Sequence, residues 1–230
     1  QGSGHRVQGS GLREQGTGHP GSLTAGMNLI YHPKIFSVRI ITLSDRAFHG
    51  EYEDRSGPRI AELLTLYFQS HKASAMSHEA QDLKHGQNKY PDLQPSSLDT
   101  ESHVSRHTSH IILLPDDPDQ LRTVLKESIA DGTDFIFTTG GTGIGPRDFT
   151  PDVVKPLLDK EVPGIMEGIR MKYGADKPQA LLSRSVAGVV GNTLLFTLPG
   201  SVRAVDEYMN EILKSLMHLK YMIHSLDMHG

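Results

Sequence analysis

The residues predict an α/β fold: a three-layer sandwich with a mostly parallel central sheet, helices on both faces and a β-hairpin near 191. Three observations carry this. Short β-branched or aromatic runs alternate with longer stretches of 3-4 apolar spacing, the pattern of successive strand–helix units. Glycine- and acid-rich segments follow those runs, where open sheets of this kind hold ligands. The strong hairpin signal, Gly191-Asn192, comes late and adds an antiparallel strand.

Taken in order, Phe36 to Leu43 is a central strand rich in Val38, Ile40, Ile41 and Thr42. Ser44-Asp45-Arg46 ends it. Asp54-Arg55-Ser56-Gly57-Pro58 leads into a helix striped by Ile60, Leu63, Leu64 and Tyr67, with Pro58 suited to its first turn. Residues 69–108 are dominated by Ser, His, Gln, Lys and Asp, and Pro91 and Pro95 interrupt any regular element; they are expected to form a polar, disordered insert. A second strand covers His110 to Leu114. Pro115-Asp116-Asp117-Pro118-Asp119 caps a helix carrying Leu121, Val124, Leu125 and Ile129, which Asp131-Gly132 stops.

A third strand spans 134–138, and helices are expected near 151–159 and 161–173. Ser185 to Val190 and Thr193 to Leu198 flank the hairpin turn. Leu198-Pro199-Gly200-Ser201 then opens one long amphipathic helix through Val205, Tyr208, Met209, Ile212, Leu216 and Leu219. Residues 27–230 are read as a single domain. Residues 1–26, polar and Gly-rich, are read as a disordered leader or appended remnant ahead of an initiator-like Met27.

Composition narrows the function. The 230 residues include no Cys, so neither a disulfide framework nor a thiolate nucleophile is available. The formal net charge of −4 gives no positive field for nucleic acid. No run approaches the roughly 18 apolar residues of a membrane span. A cytoplasmic protein without membrane or nucleic-acid partners is expected. Of the 13 histidines, six (His71, His78, His85, His103, His107, His110) lie in or beside the insert. None forms a His-x-x-x-His pair on a predicted helix with a supporting acid, so no protein metal site is assigned.

The chemistry concentrates in Thr138-Thr139-Gly140-Gly141-Thr142-Gly143, followed by Pro146-Arg147-Asp148 and Thr150-Pro151-Asp152. Glycines after a strand let backbone amides approach an anion. The loop is neither a Walker A motif nor a dinucleotide fingerprint, which argues against a nicotinamide-dependent oxidoreductase. Arg147 and Asp148 place a cation and a carboxylate beside the cradle. Asp148 and Asp152 could each cap a helix, a role that suits Asp152 better. Asp116 carries the same ambiguity, since Asp117 or Asp119 would cap equally well. Ser44-Asp45 is a polar strand end or part of a site, and Ser201 a helix cap or a phosphate site, or both. If the strands are parallel and adjacent, these segments converge on one rim.

In order along the chain, Ser44-Asp45-Arg46-Ala47, Asp54-Arg55-Ser56-Gly57-Pro58, Leu114-Pro115-Asp116-Asp117, Thr138 to Gly143, Pro146-Arg147-Asp148 with Thr150-Pro151-Asp152, and Leu198-Pro199-Gly200-Ser201 together resemble the molybdopterin adenylyltransferase family, MogA/MoaB-like and including the gephyrin G domain. The resemblance covers roughly 36–220 apart from the insert and the leader, which are foreign to the family. It implies a homotrimer that binds molybdopterin and ATP with Mg²⁺, transfers AMP to the pterin's terminal phosphate, releases pyrophosphate and hands its product to a downstream molybdenum-insertion protein. Carried onto this chain, it implies Asp116 and Asp148 as the active-site acids and Ser44 and Asp45 as a rim. Thr139, Gly140, Gly141, Thr142, Gly143 and Arg147 would serve the phosphates, and Pro199, Gly200 and Ser201 would help hold the pterin. A module that binds molybdopterin without turnover, or serves as a scaffold, is the alternative; retention of both acids favours the enzyme.

Overall fold

The computed structural model describes residues 35–84 and 106–224, without the side chains of 71–84 and 106. The proposed leader and most of the proposed insert lie outside the described residues. Six strands form one sheet in the order β2-β1-β3-β6-β5-β4. They are β1 (Ile35–Leu43), β2 (Arg106–Leu114), β3 (Phe135–Thr139), β4 (Lys160–Glu161), β5 (Ala187–Val190) and β6 (Thr193–Leu198). The strands β2, β1, β3 and β6 run parallel; β5 is antiparallel to both β6 and β4.

Side-chain alternation divides the core into two layers. Phe36, Val38, Ile40, Phe135, Phe137, Leu194, Phe196 and Leu198 face one way. Over them lie α2 (Ser56–Lys84), α5 (Pro163–Gly174), α6 (Val202–Ile212) and α7 (Leu216–Ile223). Ile41, Leu43, Ile136 and Leu195 face the other way, under α3 (Pro118–Ala130) and α4 (Thr150–Val154). A four-residue helix, α1 (Asp45–Phe48), follows β1 directly. No described helix is long and apolar enough to cross a membrane.

The structure departs from expectation in three places. Helix α2 continues to Lys84 and β2 begins at Arg106, so 69–84 and 106–108, at the two ends of the expected insert, are regular structure. The residues from Gln69 to Lys84 contain no Gly or Pro, and half of them are Ala, Gln, Lys or Glu, which favour helix even without an apolar stripe. The expected single C-terminal helix is two, interrupted at 213–215. The break lets buried Lys220 donate to Asn192 O at 2.7 Å and pair with Asp134 at 2.7 Å. Between 155 and 162 the expected helix gives way to a 3₁₀ turn (Lys155–Leu157) and the short β4.

For the site, the decisive fact is register. Leu43 pairs with Leu114, Thr42 with Thr139, and Thr139 with Leu198, so four parallel strands end nearly level. The chain leaves β1 toward β2 on one side and reaches β3 on the other, which makes the β1–β3 boundary the topological switch point.

Candidate active site

The residues after those level strand ends are Ser44-Asp45, Pro115-Asp116, Gly140-Gly141 and Pro199-Gly200-Ser201. Several bonds pin them together. The Ser44 amide donates to Leu114 O at 3.0 Å and the Gly140 amide to Leu198 O at 3.0 Å. The Thr139 hydroxyl donates to Pro199 O at 2.9 Å. Gly140 adopts φ 104°, and a Cβ there would lie 2.4 Å from Leu43 O, so only glycine fits. The turn continues through Gly141 (φ 63°), held where Thr150 donates its amide to Gly141 O and its hydroxyl to Gly140 O.

Two hollows open above this rim. The first, about 330 Å³, is lined by Ser44, Asp45, Arg46, Asp116, Gly141, Gly145, Arg147 and Asp148. The Asp45 carboxylate accepts the Asp116 amide at 2.8 Å through Oδ1. The Arg147 guanidinium stands 3.5 Å from Asp45 Oδ2 and 3.8 Å from Asp116 Oδ2, a loose bridge over two acids. Burial, then the Asp45 charge, pushes the Asp116 carboxyl above its ordinary value; hydrogen bonding from the Asp45 backbone and the Arg147 charge oppose this.

The second hollow, about 580 Å³, has a more apolar wall of Ile144, Ala180, Leu182 and Tyr208. Gly140–Gly143, Pro199–Ser201, Lys177 and Arg203 complete it. Gly141 and Asp148 belong to both hollows. Asp148 Oδ2 accepts the Gly145 amide at 2.7 Å, which folds the carboxylate across the loop. A Cβ on Gly143 would meet that oxygen at 2.8 Å, so the third loop glycine makes room for the acid.

The capping ambiguities now divide. Asp117 caps α3 by accepting the Asp119 and Gln120 amides, so Asp116 is not spent on the helix. Ser201 caps α6 through the Ala204 amide at 3.3 Å. Ser44 caps α1 and also meets the Tyr52 hydroxyl at 2.8 Å. Asp54 gathers the start of α2, accepting from Thr42, Ser56 and Gly57, and lies outside both hollows. Asp152, expected to cap a helix, instead makes a two-pronged pair with Arg184 at 2.9 Å on each oxygen. Thr139 is fully buried beneath the hollows, and the Gly140 amide is committed to β6, so neither offers its polar hydrogen upward. The remaining predicted site residues line one hollow or both.

Arg184 was not visible in the sequence reading. Its Nε donates to Gly143 O at 2.7 Å, its Nη2 to Asp148 O, and its amide to Thr142 O at 2.8 Å. Its partners lie 32 to 42 residues away along the chain, so no local spacing announces it.

Among the described residues, no group of three or more His, Asp or Glu side chains is gathered to hold a metal ion by itself. The donor set still suits Mg²⁺ delivered on a polyphosphate. Magnesium takes one or two carboxylates and fills its shell with phosphate oxygens and water. The first hollow offers Asp45, Asp116 and Asp148, with Asp116 raised chiefly by burial.

Known proteins share this fold. Residues 102–218 match the family model described as "Probable molybdopterin binding domain". Molybdenum cofactor biosynthesis protein B of Staphylococcus carnosus is 42% identical over 129 residues, covering 55% of this chain and 75% of that protein. The crystal structure of the molybdopterin biosynthesis enzyme MoaB of Thermus thermophilus superimposes with TM-score 0.60 at 32% identity, over 83% of this chain and 97% of that one. The tungsten cofactor synthesizing protein MoaB of Pyrococcus furiosus gives TM-score 0.61 at 30% identity, over 85% and 99%. Fold, rim and sequence relationship together place the chain in the MogA/MoaB-like family of molybdenum cofactor biosynthesis proteins.

Proposed function

We propose that this protein is a molybdopterin adenylyltransferase, joining AMP from ATP to the terminal phosphate of molybdopterin with release of pyrophosphate. The observation that carries the proposal is the shared wall: two hollows of different character meet at Gly141 and Asp148. The acid-lined hollow suits a Mg²⁺-bound triphosphate. The larger hollow offers apolar surface to a flat heterocycle, with Lys177, Arg203 and the start of α6 near its phosphate.

In this reading a terminal phosphate oxygen attacks the α-phosphorus of ATP. A new P–O–P bond forms, the bond to the β-phosphate breaks, and pyrophosphate leaves with the electron pair. The attacking oxygen is already anionic, so positioning matters more than proton removal. Asp45 and Asp116 would hold Mg²⁺ from the nucleotide side, and the ion would offset charge on the phosphates. Arg147 would turn from its loose pairs to the developing negative charge. Asp148, at the wall, would orient the two phosphates against each other. The same proposal includes a homotrimer and delivery of the product to a molybdenum-insertion protein; sedimentation and pull-down measurements test these separately.

The test is to incubate the purified protein with molybdopterin, ATP and Mg²⁺ and to follow adenylyl-molybdopterin and pyrophosphate. Equal amounts of both are expected, with none after chelation of Mg²⁺. Tight molybdopterin binding without either product would make the protein a binding module instead.

A further inference from the structure

We infer that Arg184 is a positioning residue for the transfer step, stapling the 143–148 loop so that the Asp148 carboxylate stands at the wall between the two hollows. This rests on the adenylyl-transfer reading above. The argument starts from what the loop can do alone. Gly145 and Asp148 exchange two bonds: the Gly145 amide to Asp148 Oδ2 at 2.7 Å, and the Asp148 amide to Gly145 O at 3.0 Å. These close a small ring and set the loop's shape. They do not fix where that ring sits over the sheet.

Two glycines, Gly143 and Gly145, give the segment wide backbone freedom. The Arg147 ion pairs, at 3.5 and 3.8 Å from a largely exposed side chain, are weak anchors. Arg184 provides the external attachment. It approaches from the segment before β5 and holds Thr142 O with its backbone. Its guanidinium reaches Gly143 O at one end of the loop and Asp148 O at the other. Asp152, in the first turn of α4, grips the same guanidinium with both oxygens and keeps it in plane. This arrangement uses the fork geometry of arginine; a lysine ammonium presents its donors from one point and cannot span it.

Asp45, at the start of α1, and Asp116, just after β2, lie outside the stapled loop and do not depend on it. Loss of Arg184 should therefore act on turnover more than on nucleotide binding. The test compares Arg184→Gln, Arg184→Lys and Asp152→Asn with the wild-type protein, using steady-state kinetics and amide hydrogen exchange. For Arg184→Gln we expect kcat to fall about tenfold or more while KM for ATP stays within about threefold. Amides of 143–148 should exchange about tenfold faster, with those of β1 and β3 unchanged. Arg184→Lys should recover only part of kcat, and Asp152→Asn, which keeps the bonds to the loop carbonyls, should lose less than Arg184→Gln.

Turnover of Arg184→Gln within about twofold of wild type would overturn the inference. So would full recovery by lysine, or faster exchange spread evenly through the protein. If the wild-type protein makes no adenylate, the functional reading falls on that control; loop exchange then still reports whether the staple exists.

Discussion

The two ends of the same parallel strands carry charge in opposite ways. At the amino end, Asp134 accepts the Ser37 amide and hydroxyl on one oxygen and pairs with Lys220 on the other. Lys220 is 1% exposed and also donates to Asn192 O. Asp134 and Lys220 both have close partners, and the pair ties α7 and the β5–β6 turn to β1 and β3. At the carboxyl end, Asp45, Asp116 and Asp148 gather around one hollow with Arg147 only loosely paired and mostly exposed. The first arrangement is satisfied internally; the second retains capacity for a charged ligand. Compensation, rather than the number of charged groups, separates architecture from a candidate site.

The largest expected effect breaks the satisfied end. Lys220→Met leaves the half-buried Asp134 carboxylate without its cation and should cost about 3 kcal/mol of stability, read by denaturant unfolding. Activity per folded molecule should be unchanged. A cost of less than about 1 kcal/mol would mean that the two ends are not as different as their bonding suggests.

At the other end the effects reverse. Asp148→Asn should lower adenylate formation on the order of a hundredfold with little change in melting temperature. Near-wild-type turnover would reduce Asp148 to a partner of the Gly145 amide.

A pH profile sharpens the comparison further. Asp116 titrates above its ordinary value because burial and Asp45 disfavour its charge. The acid limb of kcat/KM should therefore lie above the ordinary Asp value. Arg147→Gln removes a neighbouring cation that stabilises the ionised form, so the limb should move further up. A shift downward would show that Arg147 does not act on Asp116.

The smallest effect lies on the edge strand β2, one residue in from its amino end. His107 stacks on Phe68 with ring centroids 4.8 Å apart, and burial lowers its pKa. The folded state thus binds its proton less readily than the unfolded chain. Stability from this site is present above the unfolded value of about 6.5 and declines as pH falls below it. His107→Phe should flatten the pH dependence of unfolding in that window, by a fraction of a kilocalorie.

Much of this was legible in the residues because the signals are local. Val38, Ile40 and Ile41 announce β1, and Gly140-Gly141 announces a turn that no other residue accommodates. The motifs also identified the acids that line the hollows. What the chain does not display is pairing at long range. The Arg184 clamp and the Lys220–Asp134 pair join segments far apart in sequence, and neither partner looks unusual alone. Thr139 illustrates the converse error: it belongs to a recognisable motif, but its hydroxyl is used to fasten β3 to the β6 rim. The reach of α2 to Lys84 was hidden because its distal half has helix-forming residues without the apolar stripe by which helices are recognised.

Helix α2 starts at the rim and travels to the opposite pole, and β2 begins there in register with β1. The chain between Lys84 and Arg106 is thus attached at the end farthest from Asp116. Length added or removed in that interval need not disturb the strand that delivers the acid. For an engineer this is the natural port for a fluorescent reporter or an affinity handle; for evolution it is a place where sequence can drift while the chemistry at the far pole keeps its alignment.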